Sequence, residues 1–560
     1  MSVFPYRWRP IAALSLVTSY LLVSHQSHWW KLGHVGTFLC AWLVQSLAWA
    51  IWVVLLYPNL FSPLKSLPEP AGGSIWNGHF KTILAKPNGI PMREWASTVP
   101  NDGIMRYRGL LNGERVLVLG PKALSEVLVT KNYHFEKPQM MRHTLGRILG
   151  VGILLAEGDE HKLQRKNLMP AFAFRHVKDL YPVFWSKTRE VVQAMTKDIL
   201  AQQQQPASVD AEKAQTSAVI EVGNWASRVT LDIIGIAGLG HDFGAIVNPH
   251  SELNEMYRHV FQPNRQAQIL GILGQLLPLG LVQMLPLKRN DDLNTASRYI
   301  RTVCRDLIRE KKQKLAEKNN STDHDILAIA LESGGFTDEG LVDQLMTFLA
   351  AGHETTASSM TWAIYMLSRF PQVQDRLRRE IRERLPSIDS DTDITSLDID
   401  HMPYLNAVCN EVLRYYAPVP LTMREAAQDT EIQGQKIPKG TRIILSPWAT
   451  HYDKDLWGAD AHEFNPDRWL PTSADDKRAA SGGATSNYAF MTFLHGPRSC
   501  IGQAFAKAEF ACLLAGWVGR FSFELHNKEE MDEINVVVKG GVTARPAKGM
   551  YVRATVVDGW

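Results

Sequence analysis

The sequence predicts a mainly helical body with small β-sheets, carried on an apolar amino-terminal membrane segment. Three observations lead there. Val35 to Tyr57 holds no charged side chain in 23 consecutive positions. Strand-like runs are short and fall early or late in the body, and between them apolar residues recur at helical spacing. The composition agrees: 560 residues, 45% hydrophobic and 21% charged, make a folded globular chain with a large core. A net charge of +3 supplies no basic field, which excludes nucleic acid as a partner class. Cys40, Cys304, Cys409, Cys500 and Cys512 show neither paired nor zinc-type spacing, so the chain has no disulfide framework to expect and suits a reducing compartment.

Taken in order, the first element is apolar Ile11 to Val23, only 13 residues long and preceded by Arg7 and Arg9. No small-residue cleavage site follows it, so it reads as a signal-type core or a short second span. Val35 to Tyr57 reaches about 34 Å as a helix, enough to cross a hydrocarbon core of about 30 Å. Trp29, Trp30 and Tyr57 suit the interfacial belts at its ends. Two spans put Arg7, Arg9 and Lys65 on one side with Lys31 across, whereas one span leaves the flanking charges tied; both arrangements stay open. Residues 1–57 are thus expected to form an anchor. Pro58, Pro63, Pro68, Pro70, Gly72 and Gly73 predict a stiff, helix-breaking connector over 58–73, and 74–560 a separate folded body.

Within the body, Ile104 to Tyr107 and Val116 to Leu119 read as early strands, Arg442 to Leu445 and the run from Thr543 as late ones. Gln202 to Gln205 and Ser473 to Ser486 read as surface loops. Gly235-Ile-Ala-Gly238-Leu-Gly240 lacks the GxGxxG spacing of a membrane-anchored nicotinamide dehydrogenase and is better read as glycine in a helix. The longest helix should begin at Thr337, its cap, carry Asp338 and Glu339 in the first turn, and stop before Pro371. In its middle, Ala351-Gly352-His353-Glu354-Thr355-Thr356 sets small and polar residues into a buried stripe, at a cost to stability. That conflict marks either a functional site or a glycine-assisted kink with threonines bonded back to the helix.

The most specific signal is Phe493-Leu-His-Gly496-Pro-Arg498-Ser-Cys500-Ile-Gly502. Glycines on both sides let the backbone approach a flat partner, and amide groups aimed at sulfur favour a thiolate. Arg498 is placed to neutralise a carboxylate of the same ligand, and Phe493 to shield the site. Five fixed positions in FxxGxRxCxG coincide by chance with probability on the order of one in ten thousand or less.

On these residues the chain resembles the cytochrome P-450 family of haem-thiolate monooxygenases from about Pro68 to its end, a membrane-anchored microsomal type of fungal character. The resemblance implies the P-450 fold, with Cys500 as the axial ligand of the haem b iron. Ala351 to Thr356 is similar to the family's oxygen-binding helix, which implies Thr355 and Glu354 as the residues handling oxygen and protons and Gly352 as the one leaving space above the iron. Glu411-Val-Leu-Arg414 matches ExxR, and Phe464-Asn-Pro-Asp-Arg468-Trp matches the later segment whose arginine completes a structural cluster. Glu255-Met-Tyr-Arg258 also fits ExxR, but only Glu411 precedes a suitable arginine and the cysteine loop. Glu411 and Arg414 share a helical face, so one carboxylate bridges two guanidiniums.

The resemblance also implies that Arg498, Arg424 and Arg165 meet the haem carboxylates, joined by His161 where the family has tryptophan. Apolar segments after Phe135, near Phe348 and over Val419 to Met423 imply a lipophilic substrate, with fungal secondary metabolism the associated setting. The resemblance further implies dioxygen as co-substrate and electrons from NADPH through a separate membrane-bound reductase, expected to dock near Arg498 and Lys507. A reductase-independent peroxygenase or isomerase is the alternative within the family. The expected location is the endoplasmic reticulum membrane with the body in the cytosol, leaving Asn319 and Asn320, both glycosylation acceptors, without glycan.

Overall fold

The computed structural model describes residues 8–25, 32–203, 216–261, 265–277, 279–317, 325–473, 476, 478–539 and 541–560. Arg7, Trp29, Trp30, Lys31, Asn319, Asn320, Gln204, Gln205 and part of the Ser473 to Ser486 loop lie outside the described residues. The chain is mostly helical with small sheets, as its patterning requires.

Helices α1 (Trp8–Ser24) and α2 (His34–Ile51) lie against each other at the amino terminus. The second continues as a wider-turned segment to Phe61, and among the described residues His34–Phe61 is the one helix long and apolar enough to cross a membrane. Pro58 therefore does not end the helix as expected. The wider turn absorbs its missing N–H, and the body holds the helix end. Arg106 donates to Pro58 O at 2.9 Å, Asn112 to Val54 O at 2.8 Å, and Arg108 to Asn59 Oδ1 at 2.9 Å. Glu69 in the connector pairs with Arg106 and Arg108, so residues 58–73 are clamped rather than free.

The larger sheet joins β1 (Ile104–Arg108), β2 (Glu114–Val118), β3 (Phe135–Glu136), β5 (Thr422–Ala426) and β6 (Arg442–Leu445) in the order β1-β2-β6-β5-β3. Ile104 faces Val118 in an antiparallel pair, while β2 and β6 run parallel. Period-two alternation divides its apolar residues between two cores. Val116, Val118, Ile443 and Leu445 face Phe135 and Met491; Met105, Tyr107, Leu117 and Ile444 face Trp95. A second sheet pairs β4 (Ser217–Glu221), β8 (Tyr551–Val556) and β7 (Phe521–Leu525) in the order β4-β8-β7.

The body is organised by α5 (Asp338–Arg369), packed against α4 (Val222–Ile233), α6 (Pro403–Tyr415) and α7 (Gln503–Arg520), the last of which also packs on α3 (Tyr181–Gln203). The Thr337 hydroxyl caps it by accepting from Gly340 N at 3.1 Å, and Pro371 begins the next helix. Gly235 and Gly238 lie in the helical segment that extends α4, not in a strand-to-helix turn, so the dinucleotide-binding alternative has no scaffold.

Candidate active site

Apart from half-buried Asp343, the core helix α5 is buried from Leu341 to Ser368 except at one place: Ala351 is exposed and Gly352 and Thr355 are half-buried. Positions 351, 352 and 355 fall on one face, so mid-helix α5 lines an internal space. Phe348, one turn earlier on that face, stands edge-on to Phe172 with ring centroids 5.5 Å apart. Phe172 in turn lies beside Gly502, which ties this face to the cysteine loop.

The loop's shape follows from its residues. Gly496 has φ +75°, and a Cβ there would overlap Leu128 O, so only glycine fits. Leu494 also sits at positive φ, 55°, a costly conformation for a side chain of its size. Cys500 N donates to Phe493 O at 2.8 Å and Ser499 N to Gly496 O at 3.0 Å, closing the turn. Gly502 has an ordinary φ of −89° and caps α7; its contribution is its N–H, directed to the Cys500 sulfur. Burial pushes the Cys500 thiol up, while that N–H and the Arg165 charge pull it back. Cys500 is nonetheless an exposed residue. Phe493 flanks it, with Phe490 and the Lys507 ammonium beside the ring.

A buried patch of cations adjoins the loop. Arg498 pairs with Glu157, donates to Phe135 O at 3.1 Å and lies 4.9 Å over the Tyr133 ring. Arg424 donates to Met423 O at 2.8 Å, and burial followed by Arg498 repulsion lowers it to about 10. Lys137, whose N–H donates to Glu157 at 2.9 Å, is pushed down to about 7 by burial and then by Arg424. His161, buried beside Tyr133, falls to about 4 through burial and then Arg498, so it is neutral at pH 7. Arg165 reaches the loop directly, donating to Ser499 O at 2.7 Å. Lys137, Arg424 and Arg498 thus share one buried carboxylate, Glu157, and Arg498 Nε has no hydrogen-bond partner. Buried charge of one sign is costly. The patch fits a ligand carrying two carboxylates, and the accessible thiol beside it fits that ligand's metal.

Structural support comes from Glu411, which is completely buried. Arg414 grips it bidentately at 2.8 and 2.7 Å, Arg468 reaches it at 3.2 Å, and Trp469 Nε1 and Asn465 N donate at 2.9 and 2.8 Å. Buried His451 relays this cluster to the loop: its Nδ1 meets Arg414 O at 2.7 Å and Nε2 accepts from Met491 N at 2.7 Å. Burial and then Arg414 depress its pKa to about 3, which keeps the accepting nitrogen unprotonated. Thr492 adds a bond to Leu413 O at 2.8 Å.

Known proteins decide what this arrangement belongs to. The cytochrome P450 family profile matches residues 106–551. Cytochrome P450 monooxygenase sphH of Aspergillus fumigatus is 46% identical over 94% of this chain and 94% of its own. The chain belongs to the cytochrome P450 family. Monooxygenase ALT8 of Alternaria alternata is 44% identical over 94% of this chain and 95% of its own, and FUM15 of Gibberella moniliformis 44% over 90% of each. This P450 is accordingly a haem-dependent monooxygenase. It uses haem b, dioxygen, a small-molecule substrate and electrons from NADPH delivered by a redox partner.

Three details refine the expected roles. A Cβ on Gly352 would come within 2.9 Å of Ile234, so glycine there also serves close packing beside the end of α4. Arg498 and Lys507 are not surface charges: one is buried, and the other donates inward to Asn410 at 3.0 Å. The exposed cations of that face are Lys162, Lys166 and Arg175 around an open cleft of about 580 Å³. Finally, the Glu354 carboxylate is paired with Arg545 at 2.8 Å, and the Thr355 hydroxyl donates back to Ala351 O at 2.8 Å. Sequence reasoning missed Glu157, Lys137, His451 and Arg545, which carry no motif of their own.

Proposed function

We propose that this P450 binds haem through Cys500 and the Lys137–Arg424–Arg498 patch, and oxidises a lipophilic molecule of fungal secondary metabolism above it. The observation that carries the reading is the pairing of an accessible thiol with a buried, under-neutralised cation patch. When bound, haem ligated by a thiolate supplies reductive cleavage of dioxygen and insertion of one oxygen atom. Gly502 N–H and Arg165 favour the thiolate form of Cys500. Arg498, Arg424 and Arg165 orient the macrocycle's carboxylates, while Phe493 keeps water from the sulfur side.

Thr355 presents its oxygen to the space lined by Ala351 and Gly352, where it holds a water by accepting from it. Glu354, held by Arg545 and Thr543, takes protons from the partly exposed Arg545 side and passes them toward that water. Glu411, Arg414 and Arg468 hold the cysteine loop in register. The redox partner is a membrane-bound NADPH-cytochrome reductase docking by charge on Lys162, Lys166 and Arg175. The anchor places the enzyme in the endoplasmic reticulum membrane with its body in the cytosol.

The test is the reduced, carbon monoxide difference spectrum of the full chain beside Cys500→Ala. A long-wavelength thiolate band present in the parent and lost in the variant is expected. Folded parent protein without the band, or a variant that keeps it, overturns the assignment.

A further inference from the structure

The amino-terminal helices are built inside out for water. Ser15, Ser19 and Thr37 are buried where α1 and α2 meet, whereas Leu16, Val17, Leu21, Leu43, Val44 and Leu47 are each more than half exposed on the outer faces. Polar residues between helices and apolar ones outside is the arrangement that suits hydrocarbon surroundings. Gln45 holds the pair together. The Ser15 hydroxyl donates to its Oε1 at 2.9 Å, and its amide donates to Thr18 Oγ1 at 3.1 Å. The Ser19 hydroxyl donates across to His34 O at 2.7 Å.

Depth then follows from chain geometry. Gln45 is near the middle of His34–Phe61, at the centre of the slab that this helix crosses. An amide without a partner there is costly, since no water replaces the lost bond. Its partners, Ser15 and Thr18, sit at the middle of the 17-residue α1. Two helices joined at their midpoints by hydrogen bonds occupy the same depth. At about 1.5 Å per residue α1 is about 25 Å long, close enough to a core of about 30 Å for local thinning to accommodate it.

We propose that α1 and α2 enter the bilayer together as a two-helix hairpin, their outer apolar faces meeting lipid acyl chains and the Ser15–Gln45–Thr18 bonds lying between them. This rests on the membrane reading above and adds a definite topology. Arg9 and Lys65 flank the hairpin on the side of the catalytic body, which is the cytosolic side for cations. A single span of α2 instead leaves the amino terminus on the far side.

The experiment uses the full chain in sealed microsomes, with an epitope before Met1 and, separately, a glycosylation acceptor on a spacer inserted between His28 and Trp29. The expected result is that externally added protease removes the epitope and that the inserted acceptor is glycosylated. Protection of the epitope overturns the hairpin, because it places α1 across the membrane from the body. An unglycosylated acceptor with an accessible epitope also overturns it, since neither helix then crosses. Release of the whole chain by an alkaline wash is the distinct sign that the membrane reading itself has failed.

Discussion

Two glutamates are completely buried on neighbouring helices, Glu411 on α6 and Glu509 on α7, and their surroundings could hardly differ more. Glu411 receives two guanidiniums, an indole N–H and a backbone N–H. Glu509 has no hydrogen-bond partner on either carboxyl oxygen; only the nearby Thr356 hydroxyl opposes the effect of burial, and its carboxyl is pushed up to about 8. The first is an ionic keystone under the cysteine loop; the second is a neutral acid at pH 7 beneath α5. Burial sets the cost of a charge, and the donors around it decide whether the charge is kept.

The largest effect tests the ionic half of that contrast. Glu411→Gln leaves Arg414 and Arg468 buried beside a neutral amide that must also serve Trp469 and Asn465. Breaking a buried pair in this way costs about 3–5 kcal/mol. The expected outcome is a steep loss of folded yield and of haem bound per chain, read by thermal unfolding and by pyridine haemochrome. A variant within about 1 kcal/mol of the parent means that the cluster is not what holds the loop.

The neutral half has a pH signature of the opposite sense. Glu509 keeps its proton in the folded chain up to about pH 8, whereas an unfolded glutamate releases it near 4.3. Between those values the folded state holds the extra proton, so stability falls as pH rises, by up to about 1.4 kcal/mol per unit. Glu509→Gln removes that decline: it matches the parent below about pH 4.3 and gains on it progressively up to pH 8. Unfolding midpoints followed across this range check it. Parallel curves mean that Glu509 is ionised in the fold.

Local chemistry was legible where the sequence carries it locally. Thr337 and Pro371 bracket α5, and Glu411 with Arg414 at three-residue spacing already implied a shared face. The order of Glu411, Arg468 and Cys500 gave the cluster its third member. What spacing does not encode is which distant residue meets which. His451 matters because Arg414 and Met491 arrive on its two nitrogens, and Glu157 because Arg498 folds onto it from far along the chain. Gly352 invited a reading about space for a ligand, and spacing gave no sign that it also packs on Ile234 of another helix. Lys507 reads as a docking charge near the cysteine loop, but its inward turn depends on Asn410. Glu509 sits in a helix of apolar neighbours with nothing in the sequence to announce a titrating group.

The smallest effect isolates the one group that lowers the Glu509 pKa. Thr356→Val keeps the side chain's shape on α5 and removes the hydroxyl, the only group that lowers the Glu509 pKa. With no formed hydrogen bond to lose, the stability cost stays below about 1 kcal/mol, far below the effect of Glu411→Gln. Its pH dependence is the more telling readout. One group exchanges one proton, so the slope cannot exceed about 1.4 kcal/mol per unit, and the variant cannot make the decline steeper. It extends the decline to higher pH instead, because the acid now holds its proton longer. Combining Thr356→Val with Glu509→Gln abolishes that extension. If the single variant ends its decline at the same pH as the parent, the hydroxyl does not act on the carboxyl, and desolvation alone sets the state of Glu509.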